Sequence, residues 1–145
     1  MFRFLAIALL MSGLLGCRSV KPNNVAGTWT MTESSREILP AEVRQNSAKI
    51  VLEANGTFVA SDLPGIFDFP PARPRLDGGS GVWKIVSREG KQQVQLDFQV
   101  IPSGRVATNL PFSTQMEVSD SRSGVRLYYF LGDPDEALRV EFERK

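Results

Sequence analysis

Apolar and polar residues alternate with a period of two through most of the chain after Val25, and turn-forming residues separate the alternating runs. This period indicates β-strands with one buried face, because successive side chains of a strand point to opposite sides of the sheet. The run 94–100 shows it best, with an apolar residue at every second position. The pattern predicts about eight strands joined mostly by tight turns, centred on 27–32, 49–53, 57–60, 81–86, 94–100, 115–118, 125–131 and 138–143.

A sheet of about eight strands with one apolar face must close on itself or fold into a sandwich, because open edges are prone to aggregate. Asn55-Gly56 predicts a type I′ hairpin turn between the second and third strands. The best place for a helix is from Ser35 to Gln45, where Pro40 limits it to one or two turns. We therefore expect an all-β domain, a single antiparallel meander with at most one short helix after the first strand.

The motif Gly27-Thr28-Trp29 opens the first strand and returns as Gly81-Val82-Trp83 in the later half of the chain. It resembles the Gly-X-Trp signature of the lipocalin-like (calycin) barrels. The resemblance implies a closed barrel in which Trp29 lies across the closed end under an arginine from a late strand, Arg126 or Arg139. The alternative is that both tryptophans are core residues at strand starts.

The N-terminal residues 1–16 combine an early Arg3 with an apolar run and a small residue, which is typical of a secretory signal peptide. The run is shorter than the roughly 20 residues that a membrane-spanning helix needs. Leu14-Leu15-Gly16-Cys17 resembles the bacterial lipobox. The resemblance implies cleavage before Cys17, a diacylglyceryl thioether on its Sγ and an N-acyl chain such as palmitate. The alternative is an ordinary signal peptide with an incidental cysteine.

This interpretation divides the chain into a lipoprotein signal peptide (1–16), a lipidated tether (17–24) and a lipocalin-like β-barrel domain (25–145). The membrane is then a partner through the lipid on Cys17, because more than one acyl chain makes anchoring stable. Arg18 follows the cysteine, rather than the aspartate that retains enterobacterial lipoproteins in the inner membrane. In a Gram-negative cell envelope we expect the outer membrane, with the domain facing the periplasm.

Composition excludes several chemistries. The chain has no His and one Cys, so it lacks Ser-His-Asp and Cys-His machinery, and we expect no metal and no cofactor. Its 17 basic and 16 acidic residues nearly balance, which argues against nucleic acid as a partner. Four carboxylates alternate with core residues and are predicted on the outer face, whereas a glycosidase needs two inward ones. They are Asp97, Glu117, Glu141 and Glu143. We therefore expect a protein that is not an enzyme.

The stretch 62–80 reads as the one long connection, rich in proline yet carrying apolar side chains. Long connections without regular structure are often functional, so we predict that it binds a ligand or partner at one mouth of the barrel. Two arginines in it could receive an anion. The alternative is a loop whose aromatic residues finish the core. The candidate binding residues are Ile66, Phe67, Phe69, Arg73 and Arg75.

Two functions follow from this organisation. The first is a non-enzymatic membrane-anchored lipoprotein that binds a small apolar or amphipathic ligand in or at the mouth of the barrel. The alternative is a protein-interaction, assembly or inhibitor module of the cell envelope with a filled barrel. The volume inside the barrel distinguishes them.

Replacing Cys17 by Ser tests the lipid anchor, because the Sγ of Cys17 is the only thiol in the chain. We expect the Cys17→Ser protein to be left uncleaved or mislocalised and to lose metabolic labelling by a radioactive or clickable fatty acid. Labelling that persists in the variant would contradict the lipobox interpretation.

Overall fold

The computed structural model describes residues 20–65, 76–100, 112–121, 124–132, 135 and 138–145. In these residues eight antiparallel strands form a closed barrel in which each strand pairs with the next along the chain. The strands are β1 (Gly27–Met31), β2 (Lys49–Leu52), β3 (Thr57–Pro64), β4 (Leu76–Arg88), β5 (Lys91–Val100), β6 (Phe112–Ser121), β7 (Gly124–Phe130) and β8 (Arg139–Arg144).

Pairing between the first and last strands closes the barrel. Trp29 lies opposite Arg144, and Met31 lies opposite Phe142. Because β1 also pairs with β2 over Gly27 to Thr30, its two sides are both hydrogen-bonded and the sheet has no free edge. The predicted all-β meander barrel is confirmed.

Three short helices accompany the barrel in the described residues: α1 (Pro22–Val25), α2 (Glu33–Glu37) and α3 (Ala41–Arg44). The sequence predicted at most one helix after β1, and the structure instead has two, separated at Pro40 because proline cannot continue a helix. The N-cap of α2 is Thr32, whose Oγ1 accepts a hydrogen bond from the Ser35 amide.

The hairpin at Asn55-Gly56 is present, but its turn differs from the predicted type I′. That type needs positive φ at both central residues, and here only Gly56 has it, at 86°. The Gly56 amide donates to Glu53 O at 3.0 Å, which makes a longer loop ending in a left-handed glycine. A two-residue turn with positive φ at both positions joins β4 to β5 instead, at Glu89 (51°) and Gly90 (78°).

The predicted long connection 62–80 is shorter in the structure, because eight of its 19 residues belong to strands. β3 continues to Pro64 and β4 begins at Leu76, so only 65–75 connects them. Asp62 adopts φ 56° where the β3–β4 register shifts, and this bulge carries β3 beyond the turn-like residues that had predicted its end. This is also not the one long connection, because eight or more residues separate consecutive strands at 32–48, 101–111 and 131–138.

The connections give the barrel two unlike ends. We call the closed end the one where the short turns 53–56 and 89–90 lie, together with the paired strand ends Ser121 and Gly124, α1 and the start of β1. We call the loop end the opposite one, where the four longer connections lie. The meander fixes this division, because alternate connections of an up-and-down barrel fall at alternate ends.

The core is formed by the inward residues of all eight strands, in agreement with the predicted alternation. On β5 the buried residues are Val94, Leu96 and Phe98, and on β8 they are Val140 and Phe142. The largest fully buried side chains are Trp29, Phe58, Phe98, Phe142, Leu39, Ile50, Leu52, Leu63, Leu96, Met116, Leu127 and Val25.

Truncating Trp29, which is 0% exposed, tests the contribution of the closed end to stability. We expect Trp29→Ala to lower the free energy of unfolding by about 3–5 kcal/mol, the usual cost of removing a large buried aromatic ring. Val59→Ala is the control, since Val59 is 58% exposed on the outer face. Chemical denaturation measures both, and equal losses for the two variants would contradict the proposed packing.

Candidate functional site

The residues predicted to bind a ligand or partner, Ile66, Phe67, Phe69, Arg73 and Arg75, lie outside the described residues. The structure places only the strand ends that flank them, Pro64 of β3 and Leu76 of β4, which are register partners at the loop end. The candidate site must therefore be sought in the barrel interior and on its described surfaces.

Aromatic side chains occupy the interior. Phe58 and Phe98 meet edge to face with ring centroids 4.8 Å apart, and Phe98 lies 6.2 Å from Phe112. Tyr129 and Phe142 are 6.0 Å apart. These rings come from five different strands, so they fill the space across the barrel. An eight-stranded barrel is wide enough either for its own side chains or for one small ligand, and here large side chains lie in the described interior.

Tyr129 brings a polar group into this interior near the loop end. Its hydroxyl donates to Pro64 O at 2.8 Å, and Asp77, 4% exposed, lies on the strand opposite Leu63. Burial raises the pKa of Tyr129 well above its ordinary value, and the negative charge of Asp77 raises it further. The phenol therefore stays protonated and acts as a hydrogen-bond donor that ties β7 to β3.

The two Gly-X-Trp motifs make the same kind of contact. The Trp29 indole N–H donates to Val25 O and that of Trp83 to Glu53 O, each at 2.8 Å. Both carbonyls belong to segments at the closed end. At Gly81 a Cβ atom would lie 2.0 Å from Asp97 O, so β4 and β5 approach closely only because this residue is glycine.

Neither Arg126 nor Arg139 lies over Trp29, contrary to the expectation from the lipocalin resemblance. Both alternate with buried residues of their strands, so they point outward. The late-strand arginine at the closed end is Arg144. Its Nε lies 2.9 Å from where a Cβ of Gly27 would be, and its Nη1 donates to Asn24 O at 3.3 Å.

The outward arginines belong to an ion-pair cluster centred on Glu141, whose side chain is 13% exposed. Arg126 Nη1 contacts Glu141 Oε2 at 2.9 Å, and Arg139 pairs with the other oxygen. Arg139 also lies 5.0 Å from the centre of the Tyr128 ring, which meets Phe130 edge to face at 5.7 Å. The cluster satisfies its own charges and presents no vacant acid or base.

The other predicted outward carboxylates are also on the outer face: Glu143 is exposed there, and Glu117 and Asp97 have hydrogen-bond partners. Glu117 Oε1 accepts from Gln93 Nε2 at 2.6 Å. Asp97 Oδ1 accepts from Ser113 Oγ at 2.6 Å and from Gln95 Nε2 at 2.8 Å. In the part of the chain that the structure describes, no group of three or more His, Cys, Asp or Glu residues is placed to hold a metal ion.

The N-terminal segment 20–25, predicted as tether up to residue 24, is bound to the barrel. Val20 is 7% exposed, and its backbone N–H and C=O both bond the side-chain amide of Gln92 at the start of β5. Val25 is fully buried at the closed end. No local pattern predicts the Val20–Gln92 contact, because its partners are 72 residues apart in the sequence.

Two surface grooves flank this segment. The larger, of about 550 Å³, runs along Val20 where β5 and β6 separate beyond the Gln93–Glu117 pair. The smaller, of about 310 Å³, lies beside Asn24 and Arg144. Both are open grooves of the closed end; the smaller is mainly polar in lining, whereas polar and apolar surface contribute about equally to the larger.

A strip of valines crosses the outer face of three strands on the other side of the barrel. Val51 of β2 pairs with Val59 of β3, and Val82 of β4 lies diagonally beyond it. Val59 is 58% exposed and Val82 39%. Clustered apolar side chains in water are the kind of surface that protein partners cover.

Comparison with known proteins adds no relative: the sequence matches no protein-family model, no curated protein and no solved structure. Among the helices in the described ranges, none is long and apolar enough to cross a membrane.

The Asp97 cluster predicts a pH-dependent stability. Hydrogen bonds from Ser113 and then Gln95, with the Lys84 charge, hold the pKa of Asp97 below its ordinary value of about 3.9, although burial opposes them. The stability it contributes is present above that ordinary pKa and is lost as pH falls through the lower folded pKa. We expect Asp97→Asn to destabilise the domain at pH 7 and to flatten the fall in denaturation midpoint below pH about 4.

Ser113→Ala is the matched control for this prediction, because it removes the strongest hydrogen bond and keeps the carboxylate. It should weaken the pH dependence without abolishing it. If the denaturation midpoints of the wild type and Asp97→Asn fall identically with decreasing pH, the cluster does not affect the pKa of Asp97.

Proposed function

We propose that this chain is a lipid-anchored, non-enzymatic protein of the cell envelope whose barrel is a filled scaffold that binds partners on its outside. The observation that carries the proposal is the filled interior. Trp29, Phe58, Phe98 and Phe142 are each at most 2% exposed and leave the axis of the barrel to side chains. Of the two functions consistent with the sequence, this favours the interaction or assembly module over the ligand carrier.

The surfaces support the same proposal. Three carboxylates of the outer face, Asp97, Glu117 and Glu141, are engaged in ion pairs or hydrogen bonds, so they suit structure better than acid–base catalysis. The valine strip offers an apolar face, and the loop end offers further surface. Envelope proteins that recruit or hold others need such surfaces rather than a cavity.

The proposed membrane attachment is based on the resemblance of Leu14-Leu15-Gly16-Cys17 to the lipobox. The tie between Val20 and Gln92 is compatible with it, since the folded domain begins within a few residues of Cys17. In a Gram-negative envelope the proposed location is the outer membrane, facing the periplasm.

A titration with a fluorescent fatty acid distinguishes the filled scaffold from a ligand carrier. We expect no saturable binding to the purified protein in detergent-free buffer and no rise in its melting temperature, because a ligand stabilises only a fold that binds it. Met116→Ala is the control, since Met116 is fully buried and its truncation opens apolar space. That variant should gain thermal stability from benzene, while the wild type should gain none.

Saturable binding of one fatty acid per wild-type chain would overturn the filled-scaffold proposal in favour of the carrier. Mass spectrometry of small molecules released from protein purified from cells provides a second measurement. A stoichiometric apolar compound in that extract would have the same meaning.

A further inference from the structure

Three contacts tie the N-terminal segment to the closed end. The Gln92 amide bonds both backbone groups of Val20, Arg144 donates to Asn24 O, and Trp29 donates to Val25 O. Gln92, Arg144 and Trp29 belong to β5, β8 and β1, so the segment is fixed across the barrel and not at one point. The chain that leads toward Cys17 therefore leaves the domain at a defined place and end.

The length of chain between Val20 and Cys17 is short. An extended chain spans at most about 3.6 Å per residue, so Val20 lies within about 11 Å of the Cys17 backbone. A lipid on Cys17 is at the surface of the bilayer. The closed end, where Val20 is held, must then lie close to the lipid headgroups.

We infer that the closed end of the barrel is a membrane-facing surface and that the Val20–Gln92 contact fixes this orientation. The partner of this surface is a phospholipid headgroup layer, which contacts the turns 53–56 and 89–90 and the two grooves beside Val20 and Asn24. The loop end then points into the aqueous space, where partners reach it. The inference rests on the proposed lipid anchor.

The described charges of the closed end do not supply this orientation. Among the described residues there, the exposed basic ones are Lys21, Arg88, Lys91, Arg144 and Lys145, and the exposed acidic ones include Glu53, Glu89, Asp120 and Glu143. These two sets nearly cancel, so they offer anionic lipid little net charge. We attribute the orientation to the short tether, which two hydrogen bonds between Val20 and Gln92 hold to the barrel. The orientation should therefore also hold on neutral phosphatidylcholine.

Two exposed serines provide matched probe positions. Ser87 lines the groove beside Val20 at the closed end, whereas Ser61 lies beside Gly78 toward the loop end. Gly78 and Ser87 are nine positions apart on β4, about 30 Å along a strand and about 23 Å along the axis of a tilted barrel. Ser87→Cys and Ser61→Cys are nearly isosteric, and each gives the lipidated protein one free thiol for a fluorophore.

The lipidated full-length product is purified from cells and reconstituted into neutral phosphatidylcholine vesicles that contain a headgroup nitroxide lipid. We expect the nitroxide to quench the fluorophore at Ser87 several-fold more than the one at Ser61. Equal quenching at the two positions in protein that floats with the vesicles would overturn the inference and leave the anchor intact. Protein that fails to float would overturn the anchor, and the inference with it.

Gln92→Ala tests whether the Val20–Gln92 contact sets the orientation. The variant frees the segment up to α1, so the barrel should tilt and the difference in quenching between the two positions should narrow. Gln99→Ala is the control, an exposed glutamine at the opposite end of the same strand. A cooperative melt near that of the wild type verifies that each variant is folded. If Gln92→Ala leaves the difference in quenching unchanged, the Val20–Gln92 contact does not set the orientation.

Discussion

The pairing of β1 with β8 is the constraint on which the rest of this structure depends. It covers only Trp29 to Met31 against Phe142 to Arg144, yet it removes both edges of the sheet. Closure puts every inward side chain inside one enclosed volume. It also brings the two ends of the described chain together at the closed end, where Arg144 of β8 meets Asn24 of α1. The filled core and the docked N-terminal segment both follow from this.

Alternation predicted the inside and the outside of the barrel well. The inward positions of β5 and β8 and the outward carboxylates Asp97 and Glu141 follow from strand period alone. The same rule contradicts the placement of Arg126 and Arg139 over Trp29, because each precedes a buried residue on its own strand. The lipocalin resemblance suggested that a late-strand arginine packs at the closed end near Trp29. Strand alternation along β8 points to Arg144 for this place, because Arg144 is on the same side of the strand as Val140 and Phe142.

What the sequence did not predict depends on contacts between distant residues. The polar stretch before Val25 has no periodicity, and its fixation comes from Gln92, Trp29 and Arg144 on three strands. The extension of β3 past Asp62 was hidden for a similar reason. Asp62 and the prolines after it read as the end of a strand, whereas pairing with β4 resumes at Leu63 after a bulge at Asp62. The predicted binding residues 66–75 lie in the connection that remains.

The division of connections between the two ends gives the barrel its polarity. Short turns at the closed end leave room for α1 to cover that end and for the N-terminal segment to bind there. The connections at the loop end are longer. A domain held at one end by a short tether can meet partners only with its sides and its far end. In this barrel those are the valine strip and the loop end, while Phe58, Phe98 and Phe142 are buried in the interior. Under the proposed function, closure of the barrel thus gives the core to side chains and leaves the outer surface to partners.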